Sequence, residues 1–188
     1  MTLRLAAVSL AVLALAACNQ AAAPAEPASA PPAATPTPGP VNLTPKGLGP
    51  ILIGMTDGEV RAAAGAANIA PSAGADASEG CSQMRLQGAY PGVILMLEEG
   101  KLTRIDLDDQ STFKTDKGIA VGATPAEVMA AYPDAQASPH KYSDAPAQYL
   151  TVWTVPDKEG TVFEVGNEGK VSIIHAGGPS IQYVEGCA

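Results

Sequence analysis

The sequence predicts an α+β domain of two tandem units, each a helix followed by an antiparallel meander, with the helices on one face of a single sheet. Two observations support this prediction: an internal repeat, and the strand-forming runs separated by turn residues that follow each copy of the repeat. Residues 41–188 are numerous enough for one domain with a sizeable core. We expect the two units at about 48–110 and 115–188.

The repeat aligns two segments at a constant offset of 68 residues. Residues 51–63 read ILIGMTDGEVRAA, and residues 119–131 read IAVGATPAEVMAA. Each copy has a short β-prone run, a glycine, and then a threonine (Thr56 or Thr124) with a glutamate three residues later. This threonine–glutamate spacing is a capping box, which predicts that a helix begins there in each copy.

The two helices are expected to end near Gly65 and Pro133. Three strand-like runs then follow in each unit, at 82–87, 92–98 and 102–108 in the first and at 148–155, 161–165 and 171–175 in the second. The intervening segments 66–80 and 134–147 are too rich in proline and glycine for a second helix, so we expect loops there.

The run 102–108 predicts a half-buried strand. Its apolar residues Ile105 and Leu107 alternate with Arg104, Asp106 and Asp108, so one face is expected to be buried and the other solvated. The sheet face opposite the helices is accordingly expected to be open.

This organisation resembles the tandem-repeat fold of the β-lactamase inhibitory protein and the small lipoproteins of the outer-membrane β-barrel assembly machinery. The resemblance rests on IGMT at 53–56 and VGAT at 121–124, each followed by a Glu-Val pair (Glu59 and Val60, Glu127 and Val128), and it covers most of residues 48–177. The motif is short and structural, so the resemblance implies a repeat fold rather than an activity, and it implies no catalytic residue.

The first residues indicate a location. Residues 1–17 carry one basic side chain and an apolar run of 13 residues, shorter than the roughly 20 helical residues that span a bilayer, which is typical of a signal peptide. Leu15-Ala16-Ala17-Cys18 resembles the lipobox of bacterial lipoproteins, which implies that Cys18 carries acyl chains such as palmitate. The alternative is an ordinary signal peptide in which Cys18 is a bystander.

Residues 18–40 predict a lipidated cysteine followed by a disordered tether, because this segment is almost entirely alanine, proline, threonine and serine. In an extended polyproline conformation it could hold the domain up to roughly 70 Å from the lipid. Asn19 replaces the aspartate typical of inner-membrane retention, so the resemblance places the protein on the periplasmic face of the outer membrane of a Gram-negative bacterium. A recognition ligand is the alternative for this segment.

The charge of the chain bears on its partners. The formal net charge is -8, and residues 41–188 contain 10 basic and 18 acidic side chains. Nucleic acids and anionic lipid surfaces need clustered Lys or Arg, so neither is an expected partner. Contact with a membrane is expected through the N-terminal lipid alone.

Two cysteines remain after Cys18. Cys81 and Cys187 are predicted to form a disulfide bond, because an even pair in an oxidising compartment is normally bonded; two free thiols are the alternative. Such a bond would attach the C-terminal tail to the sheet of the first unit.

No catalytic, cofactor-binding or metal-binding site is predicted. The two histidines, His140 and His175, lack metal-ligand spacing, and His175 is interpreted as a satisfied edge or core residue. Residues Asp106, Asp108 and Asp109 lack the spacing of a calcium loop and are interpreted as a solvated face. Motifs for nucleophilic or phosphate chemistry do not occur in the sequence, so we predict that the protein is not an enzyme.

Three aromatic residues are candidates for partner binding. Tyr149 and Trp153 share one face of the predicted strand 148–155, and Tyr142 precedes that strand. The alternative is that these rings belong to the core. We therefore expect a lipid-anchored, non-enzymatic protein-binding or envelope-assembly module whose partner is another envelope protein. The alternatives are a periplasmic inhibitor of a hydrolase such as a β-lactamase, and a structural lipoprotein without a tight partner.

Overall fold

The computed structural model describes residues 41–65, 67, 69–71 and 80–187. In this part of the chain the elements are, in order, β1 (Leu43–Thr44), β2 (Gly47–Leu48), β3 (Ile51–Leu52), α1 (Asp57–Ala64), β4 (Ile69–Pro71), β5 (Cys81–Leu86), β6 (Val93–Glu98), β7 (Lys101–Leu107), α2 (Pro125–Ala131), β8 (Gln136–Pro139), β9 (Gln148–Val155), β10 (Glu159–Val165), β11 (Val171–Gly177) and a 3₁₀ helix (Pro179–Gln182). The predicted signal peptide (1–17), Cys18 and the tether (18–40) lie outside the described residues.

An antiparallel sheet of eight strands is the main element of the fold. Its strand order is β4-β5-β6-β7-β11-β10-β9-β8. The last strands of the two meanders, β7 and β11, therefore meet at the centre, where Ile105 lies opposite Ala176. Each edge strand ends in a proline, Pro71 or Pro139, which has no N–H to offer to a further strand.

The predicted α+β class is wrong, because the described residues are mostly β. Two short helices, of eight and seven residues, accompany the eight-stranded sheet, and a separate three-stranded sheet is formed by β1, β2 and β3. This small sheet contributes three almost fully buried side chains to the main core, whereas the fully buried side chain of α2 is Val128. The small sheet was missed because strands of two residues show no periodicity.

The two predicted capping boxes are confirmed. The backbone N–H of Thr56 donates to Glu59 Oε2 at 2.8 Å, and the Glu59 N–H donates back to Thr56 Oγ1 at 3.4 Å. In the second copy the corresponding distances between Thr124 and Glu127 are 2.7 and 3.3 Å. Both helices therefore begin where the sequence indicates, because a capping box depends on residues only three positions apart.

The six predicted meander strands occur within two residues of their expected limits, as β5, β6, β7, β9, β10 and β11. The loop prediction for 66–80 and 134–147 is wrong in part, because β4 and β8 lie in these segments. Both are short edge strands of three and four residues, and they gain their stability from the neighbouring strands β5 and β9 rather than from their own composition.

The prediction of a solvated face on β7 is also wrong. Arg104 is 2% exposed and Asp106 is 3% exposed. Asp108 is buried as well and forms an ion pair with Arg85, and of the three aspartates of this stretch only Asp109 is exposed. The face is covered here because the 3₁₀ helix packs against β7, β10 and β11.

The C-terminal segment, residues 178–187, therefore crosses the sheet face that was expected to be open. One end continues from β11, and the other reaches β5, where the sulfur atoms of Cys187 and Cys81 are 2.10 Å apart, at disulfide distance. Between these ends, Arg104 Nη1 donates to the carbonyl oxygens of Ser180 and Tyr183 at 2.9 and 3.0 Å.

Candidate functional site

A row of ionisable side chains lies under the C-terminal segment. Strand pairing places Asp106 of β7 opposite His175 of β11, and His175 opposite Val162 of β10. Because side chains alternate along a strand, Glu164 projects on the same face as Val162 and lies diagonally from His175. The sheet register alone thus brings two carboxylates and an imidazole together.

The contacts along this row of side chains are close at one end and longer at the other. Asp106 Oδ1 lies 2.8 Å from Arg104 Nε and also 2.8 Å from His175 Nδ1. The other ring nitrogen, His175 Nε2, lies 3.6 Å from Glu164 Oε2. Glu164 Oε1 is in turn 3.4 Å from His140 Nε2. Glu164 is therefore held between two imidazoles, without the short contacts of a tight ion pair.

These neighbours shift the protonation of the buried groups. Burial by itself raises the pKa of Asp106, but His175 and Arg104 outweigh burial, so the pKa lies below its ordinary value. For His175, burial lowers the pKa, but Asp106 and Glu164 outweigh it and raise the pKa. The neighbouring His175 ring lowers the pKa of Glu164 and outweighs the effect of burial, which raises it. The arrangement therefore favours two carboxylates around an imidazolium.

A cavity of about 240 Å³ opens beside this row of side chains. The C-terminal segment forms one wall and the strands β8, β9, β10 and β11 form the rest; the lining residues are Ser138, Tyr149, Thr151, Val162, Glu164, His175, Ile181, Gln182, Tyr183 and Val184. We call this cavity the strap pocket. None of the described residues that line it is a lysine or arginine, so Glu164 and His175 set the charge of this lining.

Tyr149 links the strap pocket to the surface. Its ring stacks on that of His140, with centroids 4.8 Å apart and planes 17° apart. Its hydroxyl oxygen is buried and has no hydrogen-bond partner among the described residues. Burial raises the pKa of Tyr149, so the hydroxyl keeps its proton at neutral pH and can both donate and accept.

The three predicted binding residues do not form one patch. Tyr142 is 58% exposed, and its N–H donates to His140 Nδ1 at 3.1 Å, which places it next to the His140–Tyr149 stack. Trp153 is not in the pocket lining. Its ring lies against Gly160, where an added Cβ would come within 2.7 Å of Trp153 Cε3.

Sequence reasoning missed the polar members of the site, Asp106, His140, Glu164 and His175. His175 was interpreted as a satisfied residue, and it does bond to Asp106, but its place beside a cavity was not foreseen. The local sequence carried no signal for the burial of Asp106, because its alternation with Ile105 and Leu107 is the pattern of a half-solvated strand.

Within the described ranges, no group of three or more metal-ligating side chains is placed to hold a metal ion. The bond from the Tyr142 N–H makes His140 Nδ1 an acceptor, so the ring proton of neutral His140 is on Nε2, where it faces Glu164. That nitrogen is then a hydrogen-bond donor rather than a metal ligand.

No family model matches the chain, no curated protein is detectably similar to it, and no solved structure matches it. None of the helices in the described residues is long and apolar enough to cross a membrane. The site therefore has to be interpreted from its own chemistry.

Proposed function

We propose that this chain is a lipid-anchored, non-enzymatic binding protein of the bacterial envelope, and that it binds another envelope protein at the strap pocket. The observation that carries the proposal is a preformed pocket with exposed aromatic and apolar side chains at its rim. Tyr183 and Val184 line the pocket and are also exposed, and Tyr142 lies next to the His140–Tyr149 stack. Tyrosine is typical of protein interfaces because its ring offers a large contact area at a low entropic cost.

The pocket suits binding because the C-terminal segment, which forms one of its walls, is held in place before a partner arrives. Arg104 holds the C-terminal segment through two carbonyl oxygens, and Asp106 holds Arg104. Cys187 lies at disulfide distance from Cys81 at the far end of the same segment. A surface that is already ordered loses less conformational entropy when it binds.

The N-terminal sequence supports the location in the envelope. The lipobox-like residues at 15–18 suit a lipid anchor at Cys18, and the proline-rich residues 19–40 suit a tether that lets the domain reach a partner above the periplasmic face of the outer membrane. The net charge of -8 suits a partner with a basic surface.

Site-specific photo-crosslinking in cells tests this function. The crosslinking amino acid replaces Tyr142 in the anchored full-length protein, and the control carries it at Met129, an exposed residue of α2. We expect one envelope protein to be captured from position 142 and not from position 129. The purified partner should then bind the wild-type chain directly and bind a Tyr183→Ala variant more weakly, by about tenfold. Equal capture from both positions, or equal binding by the variant, would contradict the proposal.

A further inference from the structure

We infer that the strap pocket receives the positively charged side chain of a lysine or arginine of the partner, with Glu164 as its counterion. This inference rests on the proposed function of the pocket as the binding site, and it adds the chemical class of the group that enters. Three independent observations support it: the charge of the lining, the unfilled hydrogen-bonding capacity of two lining groups, and the aromatic wall.

The charged groups that line the pocket favour a cation over an anion. In the part of the chain that the structure describes, Glu164 is the lining carboxylate, and no lysine or arginine lines the cavity to receive an anionic group. His175 is the one cationic candidate, and its Nδ1 is already bonded to Asp106. The ionised state of Glu164 is favoured because the neighbouring His175 ring, 3.6 Å away, lowers its pKa. A cation entering the pocket therefore meets a carboxylate with open acceptor positions, whereas the cationic group that an anion would meet among the lining residues, the His175 ring, already contacts Asp106 and Glu164.

Glu164 has hydrogen-bonding capacity to spare. A carboxylate has about four acceptor positions, and the two imidazole contacts of Glu164 are long, at 3.4 and 3.6 Å. Charge-assisted hydrogen bonds between nitrogen and a carboxylate are normally about 2.7–2.9 Å. An ammonium or guanidinium group can therefore bond to Glu164 without displacing a tight existing partner.

Tyr149 offers a second acceptor and Tyr183 a second aromatic ring. The buried hydroxyl of Tyr149 lies near the backbone N–H of Lys141 but has no partner of hydrogen-bond geometry among the described residues, so a donor from the ligand would satisfy it. Both tyrosines line the cavity, and a cation near an aromatic face is stabilised by the ring quadrupole. The apolar lining residues Val162, Ile181 and Val184 suit the methylene stem of a long basic side chain.

The size of the cavity agrees with a single side chain. Pockets for drug-sized ligands occupy about 300–1,000 Å³, and the strap pocket, at about 240 Å³, is smaller. A side chain presented by a folded partner also explains why exposed rings surround the opening, because they would contact the partner's surface around the inserted group.

The test is an NMR titration of the mature full chain in detergent micelles, following the imidazole signals of His140 and His175. The probes are Nα-acetyl-lysine methylamide and Nα-acetyl-arginine methylamide, with the neutral norleucine analogue and the acidic glutamate analogue as controls, and n-butylamine as a free amine. We expect saturable shifts with the lysine or arginine probe and none with the neutral or acidic probe. Binding of the neutral analogue with equal affinity would overturn the inference. If n-butylamine bound as tightly as the lysine probe, the pocket would be an amine site and the side-chain assignment would be wrong.

Two matched variants locate the counterion. Glu164→Gln keeps the shape of the side chain and removes its charge, and it should weaken binding of the cationic probe by at least about tenfold. Glu168→Gln removes the same charge from an exposed loop residue outside the pocket lining and should leave binding unchanged. Since Glu164→Gln could disturb folding, Tyr183→Ala at an exposed position provides a second variant, and it should also weaken the cationic probe. Unchanged binding in both pocket variants would overturn the inference.

The titration and the crosslinking experiment together distinguish a failure of the proposed function from a failure of this inference. If a partner is captured from position 142 and Glu164→Gln does not reduce this capture, the proposed function is retained. The inference that a basic side chain occupies the pocket is then overturned. The opposite result is also informative: the lysine probe binds in a way that depends on Glu164, but no protein is captured. This result would overturn the proposed function, and it would show that the bound cation is not a side chain of a partner protein.

Discussion

Asp106 and His175 are 69 residues apart in the chain, yet Asp106 Oδ1 and His175 Nδ1 lie 2.8 Å apart on the two central strands of the sheet. This contact joins the first meander to the second within a buried environment. Arg104 approaches the same carboxylate and also holds the C-terminal segment. Asp106 therefore connects the junction of the two meanders to the wall of the strap pocket.

Removing the charge of Asp106 is expected to be strongly destabilising. Asp106→Asn leaves Arg104 and His175 without their shared buried carboxylate, and breaking a buried pair in this way typically costs about 3–5 kcal/mol. Asp109→Asn is the matched control, because Asp109 is exposed and its replacement should change the free energy of unfolding by no more than about 0.5 kcal/mol. Urea unfolding of both variants measures the difference. Equal stability of the two variants would show that the buried pair contributes little.

The raised pKa of His175 predicts that stability falls on the alkaline side. Asp106 and Glu164 favour the protonated ring, while burial and Arg104 oppose it, and the net pKa lies above the ordinary value of 6.5. The folded state then retains a proton that the unfolded state has lost, so this contribution is complete below pH 6.5 and disappears as pH rises through the folded pKa. For Asp106 and Glu164, whose pKa values are lowered from 3.8 and 4.5, the contribution is present above those values and is lost on acidification.

We therefore expect the greatest stability between the ordinary carboxylate values and pH 6.5. Urea unfolding at about pH 5.5 and about pH 8.5 measures the alkaline side. The free energy of unfolding should decrease over this interval in the wild-type chain, and the decrease should be absent in His175→Gln. An equal decrease in the variant would assign the effect to another group.

The link between Cys81 and Cys187 is expected to stabilise the fold mainly by restricting the unfolded chain. The two cysteines are 106 residues apart, and closing a loop of that length contributes about 4–5 kcal/mol in the chain-entropy description. The double variant Cys81→Ser/Cys187→Ser should lose about this amount in urea unfolding. Its C-terminal segment should also exchange amide hydrogens faster than that of the wild type.

Reduction of the wild-type chain provides the control for this prediction. It should reproduce the stability of the double variant, and it should not change the double variant itself. Unaltered stability after removal of both thiols would show that the pair does not restrain the chain.

Gly160 is expected to tolerate no side chain. A Cβ there would lie 2.7 Å from Trp153 Cε3, 2.7 Å from the Val152 carbonyl oxygen and 2.9 Å from Ile181 Cδ1, which are closer than real contacts allow. Gly160→Ala should therefore destabilise the fold by about 1–3 kcal/mol and shift the C-terminal segment. Gly166→Ala is the control, since its nearest neighbour would be Ser172 at an ordinary 3.6 Å. Thermal unfolding compares them, and similar midpoints would contradict the expected crowding.

Local features of this chain could be predicted from the sequence. The capping boxes at Thr56 and Thr124 depend on side chains three residues apart, and the six meander strands depend on composition and turns within a few residues. The pair Cys81 and Cys187 followed from counting cysteines, and the structure places their sulfurs at bonding distance. Lipidation of Cys18 and the envelope location remain predictions.

The class of the fold and the site depended on contacts that no local pattern records. The strands β1, β2 and β3 are two residues long and are stable because they pack in the main core. Arg104 and Asp106 follow the alternation of a solvated face, and they are buried because a segment more than 70 residues later crosses over them.

Neighbouring residues, or a simple count, are therefore enough to predict where the helices begin, which runs become the meander strands and which cysteines are available to pair. Contacts between distant parts of the chain make the described residues mostly β, bring Asp106, His175 and Glu164 together, and let the C-terminal segment turn one sheet face into a pocket. These contacts are not local because a buried charge is tolerated only where distant strands supply its partners, and strand register sets those partners.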